Sequence, residues 1–231
     1  MKILLLGIFF VCLNTFTGSS FDAITKYLSI NNYKWYHYYS IGGTAAIILF
    51  ILLFFTNGEI KKHLTLKNKN HFYFLILRGI SFIPVLLIVF YSLKYIPISL
   101  FATLIMTSPF FLLIFAKIIL KEKLNYISWV AILIGFCGVL IVLRPSLSNI
   151  NIFIFLVFFA VLIISFNFTI VSKYSHIATS YGFTFYQYLP ITLFAYIFFI
   201  FDPLVPSLKE FILFSSAGVL MMISMWAWNK A

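Results

Sequence analysis

ISLFATLIMTSPFFLLIFAKIIL, residues Ile98–Leu120, followed by Lys121-Glu122-Lys123, decides the fold. The run is 23 residues long, with no acid, no glycine and a single charge, Lys117. At ~1.5 Å per residue a helix of this length reaches ~34 Å, enough to cross a hydrocarbon core of ~30 Å. A second apolar run, Tyr126–Leu143, follows the charged turn and stops at Arg144-Pro145. Ser99, Thr103 and Thr107 recur every four residues in the first run and Pro109 sits inside it, features that a simple anchor does not need. The pattern is that of a helix pair in a polytopic membrane protein, with a polar stripe turned inward.

Composition points the same way. Of 231 residues, 63% are hydrophobic and 9% charged, and mean hydropathy is +1.09. A soluble domain carries roughly a quarter charged residues. Transmembrane barrels alternate apolar and polar residues in segments of ~10, whereas these runs are continuous and longer. An all-α polytopic membrane protein is the fold class.

The net charge of +11 raises the question of nucleic acid. Lys61, Lys62, Lys67 and Lys69 instead fall in one loop between apolar runs, as the positive-inside rule predicts for a cytoplasmic connection. No nucleic-acid partner is expected; the lipid bilayer and a small solute are. Cys12 and Cys137 lie within apolar runs, read as packing residues rather than a disulfide or metal site.

Eight helices are predicted: Ile3–Tyr27, Trp35–Phe55, Phe72–Leu93, Ile98–Leu120, Tyr126–Leu143, Ile152–Val171, Gly182–Phe201 and Phe211–Trp228. The first begins like a signal peptide, with Lys2, the apolar Ile3–Leu13 and the small residues Gly18-Ser19-Ser20. However, Thr15, Ser19, Asp22 and Lys26 continue at spacings of four, three and four, one helical face that a cleaved leader would not need. Trp35-Tyr36-His37-Tyr38-Tyr39 reads as an interfacial aromatic belt. Gly42-Gly43 reads as a point of close helix contact or a kink, and Gly135 with Gly138 as a point of close helix approach. Lys and Arg outside the helices divide nine to five in favour of a cytoplasmic N-terminus, and eight helices return the C-terminus to that side.

Several residues could carry chemistry. Asp22 is an ionisable group within a span, a functional candidate for a cationic solute or proton coupling; the alternative is an i,i+4 ion pair with Lys26. Arg78 could grip a carboxylate, or else snorkel to lipid phosphate or cap a helix end. Ser99, Thr103 and Thr107 either line a cavity or bond their own preceding turn. Pro109 and Pro190 free the carbonyls of Ile105 and Tyr186. Asn167, Gln187, Tyr91 and Trp226 are further cavity candidates or else packing residues, and Glu122 in the charged turn is assigned no transport role. The four histidines, at 37, 63, 71 and 176, are scattered. No catalytic residue, metal or cofactor is expected, and the chain is not read as an enzyme.

Laid over each other at an offset of 147, helices 1–2 and 6–7 bring Phe21, Lys26, Tyr27 and Tyr39 onto Phe168, Lys173, Tyr174 and Tyr186. A five-helix repeat unit is odd and therefore inverts, the plan of many secondary transporters.

The residues that carry a family resemblance are Phe21–Tyr27, Arg78-Gly79, Tyr95-Ile96-Pro97, Ser108-Pro109, Leu120–Lys123, Trp129, Gly135–Val139 and Arg144-Pro145. In order and spacing they resemble the EamA-type transporters of the drug/metabolite transporter superfamily. The resemblance implies ten helices in two inverted five-helix units, both termini cytoplasmic, in a bacterial inner membrane, around a cavity near the bilayer midplane. It admits a homodimer. Pro109, Glu122, Gly135, Gly138 and Pro145 are the structural points of the motif. Residues 1–145 would form the first unit and 146–231 an incomplete second unit of three helices. The implied function is secondary transport of amino acids, amines or related metabolites by alternating access. An S-adenosylmethionine-type uptake carrier and a truncated, non-transporting membrane protein are the alternatives.

Overall fold

A computed structural model of the chain describes residues 2–55, 63–64, 66, 68–123, 125–143 and 151–230. The helices are α1 (Lys2–Ile30), α2 (Trp35–Phe55), α3 (Lys69–Tyr95), α4 (Ile98–Ile105), α5 (Ser108–Phe115), α6 (Tyr126–Leu143), α7 (Ile152–Lys173), α8 (Ser180–Phe201) and α9 (Leu208–Lys230). Among the described residues there is no strand. Among the described residues seven spans are long and apolar enough to cross a membrane, the 98–120 span being α4, α5 and a π-helical segment taken together; Tyr126–Gly138 is a shorter apolar helix. The chain is an all-helical polytopic membrane protein.

The predicted helix over 98–120 is not continuous. α4 ends at Ile105, and the chain passes through Met106 and Thr107 before α5 opens at Ser108 with Pro109 in its first turn. There a proline's missing N–H costs nothing, because first-turn N–H groups have no helical acceptor. The proline therefore starts a helix rather than kinking one. After α5 the winding loosens into the π-helical segment Ala116–Leu120, which stops at Lys121 with φ 57°. Glu122, which follows in the turn, donates its N–H to the Ala116 carbonyl at 3.4 Å.

Other boundaries have local causes. α1 ends where Asn32 takes φ 60° and the Tyr33 N–H reaches back to the Leu28 carbonyl at 3.1 Å, a C-terminal closure that suits Asn or Gly. α7 is capped by Asn151, whose side chain accepts from the Phe153 N–H at 3.3 Å. Thr179 does the same for α8, accepting from Gly182 at 3.1 Å. α9 opens with a reciprocal box, Ser207 N–H to Glu210 Oε2 at 2.7 Å and Glu210 N–H to Ser207 Oγ at 3.4 Å.

Packing divides the chain into a terminal unit, Met1–Ile83 with Ser175–Ala231, and a mid-sequence unit, Pro84–Tyr174. In the terminal unit α9 packs on α1, α2 and α8, and α2 packs on α8. Gly42 and Gly218 make the α2–α9 crossing: a Cβ at Gly218 would run into the Gly42 backbone, and one at Gly42 into the Phe214 carbonyl. On α1, Asn14 donates to the carbonyl and the hydroxyl of Ser224 at 2.9 Å each, and Gly18 faces the same serine one turn on. In the mid-sequence unit α7 packs on α4, α5 and the π-helical segment, and Ser165 on α7 donates to the Ser108 carbonyl at 3.3 Å.

Three sequence expectations are corrected. The aromatic run is turned into the protein rather than out to lipid: Trp35, His37, Tyr38 and Tyr39 are buried. Trp35 stacks on Phe194 at 5.6 Å, and α8 supplies the apolar surface that lipid was expected to supply. Cys12 and Cys137 are exposed rather than packed. Gly135 and Gly138 have open space where a Cβ would go, so neither serves a close helix approach here. Pro145 lies outside the described residues, as do Lys61, Lys62 and Lys67 of the basic loop.

Candidate substrate-binding site

α3 enters the terminal unit at Lys69, and Arg78 lies nine residues on, ~14 Å along the helix. It is 5% exposed, so the snorkelling expectation is not met. Nor does it cap a helix end. Its Nη1 donates weakly to the Phe183 carbonyl in the body of α8, at 3.4 Å. The guanidinium lies 5.7 Å from the Phe82 ring centroid and 5.5 Å from that of Phe183. Its Nε and Nη2 are buried without a hydrogen-bond partner among the described residues.

Gln187, four residues beyond Phe183 on the same face of α8, is fully buried, and neither its Oε1 nor its Nε2 has a partner among the described residues. The two helices touch because Gly79 has no side chain. A Cβ there would lie 2.8 Å from the Tyr186 carbonyl and from Pro190 Cγ, and 3.1 Å from the Gln187 carbonyl. Pro190 removes the donor that the Tyr186 carbonyl would otherwise accept in the helix. His63 and Leu64, to which the sequence assigns no role, bond to α8 and its cap. His63 Nδ1 is 2.9 Å from Thr179 Oγ1, and Tyr186 donates its hydroxyl to the Leu64 carbonyl at 2.6 Å.

Trp226 lines a separate small cavity of 180 Å³ with Phe50, Tyr181, Thr184 and Met222. Tyr181 stacks on its indole at 5.3 Å, and the indole N–H is buried without a partner among the described residues.

Asp22, on α1, is half-buried, and the alternative ion pair with Lys26 is not among the ion pairs of the described residues. Its charge is within electrostatic reach of Tyr38 and Tyr39 on α2, where Tyr38 meets the Thr25 hydroxyl at 3.3 Å. Thr15 and Ser19, on the same stripe, are exposed and line an open groove along α1.

In the mid-sequence unit the hydroxyls turn back on their own helix. Thr103 donates to the Ser99 carbonyl at 2.8 Å and Thr107 to that of Leu104 at 2.6 Å. Asn167 donates to the Ile163 carbonyl one turn back, at 2.9 Å. Tyr91 is exposed. The candidates thus fall into two groups: Asp22, Lys26, Arg78, Gln187 and Trp226 in the terminal unit, and Tyr91, Ser99, Thr103, Thr107 and Asn167 in the mid-sequence unit. Among the described residues no cluster of His, Cys, Asp or Glu could hold a metal ion.

At one end of the terminal unit a polar clasp joins the α1–α2 turn to the α8–α9 turn. Lys34 Nζ and the Tyr36 hydroxyl donate to Asp202 Oδ2 at 2.6 and 2.7 Å. His37 Nε2 is 2.9 Å from the Asp202 carbonyl, and Tyr33 donates to Glu210 Oε1 at 2.5 Å. The bonds from Lys34 and Tyr36 hold the Asp202 carboxyl below its ordinary value, and the same Asp202 bond, with Tyr36, raises Lys34.

Comparison with known proteins agrees with the fold. One solved crystal structure, described only as that of a protein, superposes with a TM-score of 0.69 at 12% identity, covering 97% of this chain and 77% of its own. At that identity the likeness shows the fold alone. No curated protein matches the sequence. Residues 5–144 match the EamA-like transporter family, more than half of the chain and including Asp22, Arg78 and the Ser108-Pro109 break. The chain belongs to the EamA-like transporter family.

Proposed function

We propose that this chain is a secondary transporter of small organic metabolites, amino acids, amines or related solutes, working by alternating access. The observation that supports this is the set of polar atoms buried inside apolar spans with no partner among the described residues, Nε and Nη2 of Arg78 and the side-chain amide of Gln187, beside the acid Asp22 within α1. Such groups are costly in hydrocarbon and in membrane proteins mark solute or ion paths. In this reading 1–145 forms one five-helix unit and 146–231 belongs to a second, inverted one. The membrane is the bacterial cytoplasmic membrane, with both termini on the cytoplasmic side.

The test is uptake by proteoliposomes containing the purified chain. Labelled amino acids, amines and S-adenosylmethionine are offered with and without a proton gradient. Saturable accumulation or exchange above protein-free vesicles is expected, and D22N is expected to abolish any gradient-driven part. No uptake of any solute in the panel above the empty vesicles would sink the proposal.

A further inference from the structure

The contact between α3 and α8 holds chemistry that neither the fold nor the family assignment accounts for. A guanidinium shut away from water is costly unless an anion or several acceptors satisfy it. Arg78 has one long bond to a carbonyl and two aromatic faces, while Nε and Nη2 are left over. No carboxylate lies within 4 Å of it among the described residues, since the ion pairs there are those of Asp202. Nε and one Nη of a guanidinium form the fork that meets both oxygens of a carboxylate. Gln187 adds an N–H₂ donor and an acceptor, each without a partner among the described residues, on the face of α8 that also carries Phe183.

We propose that Arg78 and Gln187 form an internal carboxylate-binding site at the α3–α8 contact, and that the solute held there carries a free carboxylate. The proposal rests on reading these spans as a solute path. Carboxylate oxygens would satisfy the Nε–Nη2 fork and the Gln187 amide N–H₂. The leftover Oε1 would accept an N–H from the same solute, which an α-amino acid supplies. In the conformation described the contact is closed. Entry requires α3 and α8 to part at Gly79 and Pro190, where the surfaces meet with no side chain on the α3 side.

The experiment measures melting temperature of the full chain in nanodiscs. The panel is L-amino acids and short carboxylic acids, each beside its amide, with inorganic phosphate and chloride as free anions. Ligands that bind only the folded state raise the transition. At least one acid is expected to raise it where its amide does not. R78Q should abolish the shift, and R78K and Q187L should each weaken binding by about 10- to 100-fold. Should R78Q fail to fold, R78K and Q187L decide. Equal shifts from acid and amide, a shift retained in these variants, or no shift from any acid overturns the site. Phosphate or chloride shifting as strongly as the acids overturns the assignment to a solute. Binding without uptake in the proteoliposomes would instead sink the transport proposal and leave the site standing. Uptake with no preference for acids would do the reverse.

Discussion

Gly42 and Gly218 of the terminal unit and Gly135 and Gly138 of the mid-sequence unit look alike on paper, small residues in long apolar helices. In the fold they behave oppositely. The first pair lets the backbones of α2 and α9 meet, whereas the second has nothing within 4 Å of where a side chain would begin. In lipid, helix association relies on close packing and polar links rather than on the hydrophobic effect, so a glycine matters only where a partner backbone uses the space. Around the close pair lie the Asn14–Ser224 bonds and the Tyr188 hydroxyl, which donates to the Gly218 carbonyl at 2.9 Å. Around the open pair, Leu133, Ile134 and Ile141 are exposed.

The sharpest way to break this contrast is Gly218→Val. Its side chain has only backbone to push against, and the cost should reach about 3 kcal/mol or more, read as a lowered melting temperature or loss of folded protein. Gly79→Val in the α3–α8 contact should cost about 2 kcal/mol, slightly less because Pro190 Cγ can give a little. If either variant melts like the parent, the glycine contacts do not decide packing. Asn14→Leu should cost about 1 kcal/mol, since hydrogen bonds between membrane helices are individually modest. Gly138→Ala should have the opposite sign, stabilising by about 0.5 kcal/mol through helix propensity alone. A marked loss there would reveal a partner for that face.

The smallest effect concerns the Asp202 clasp. Asp202 is depressed below its ordinary 3.8, so its stabilisation is present above that value and lost as pH falls through the lower folded-state value. Lys34 is raised above 10.5, so its contribution is full below that and lost as pH rises past the higher folded-state value. The melting difference between the parent and D202N should be flat from about pH 5 to 9 and shrink outside that window. It should also shrink with salt, because the pair is exposed. A difference that persists undiminished at pH 2 would remove the clasp from the account.

How much of this could be read from the chain differs by kind of feature. The spans were legible because continuous apolar length is a direct physical requirement of a bilayer; the break in the fourth was not, because Pro109 inside an apolar run suits a kink as well as a new helix start. The burial of Trp35, Tyr38 and Tyr39 was not, since an aromatic side chain suits a lipid interface and a helix interface equally. The Ser207-x-x-Glu210 box starts α9 at Leu208, three residues before the predicted start at Phe211. Asp202 and Asn14 have no local signature, because their partners are 168 and 210 residues away. Arg78 stood out as a charge in a span, yet only the fold shows that its fork is buried and unanswered.

The terminal unit takes its helices from the two ends of the described chain, and that bears on how the protein is made. Ser224 leaves the ribosome 210 residues after Asn14, ~10–40 s later at ~5–20 residues per second. Through that interval α1 sits in the bilayer with its Asn14 amide unmatched, while α7 finds α4 and α5 within the contiguous segment 84–174. Synthesis and assembly therefore run out of step. α1 is made well before the helix that locks it in, and it needs shelter while it waits.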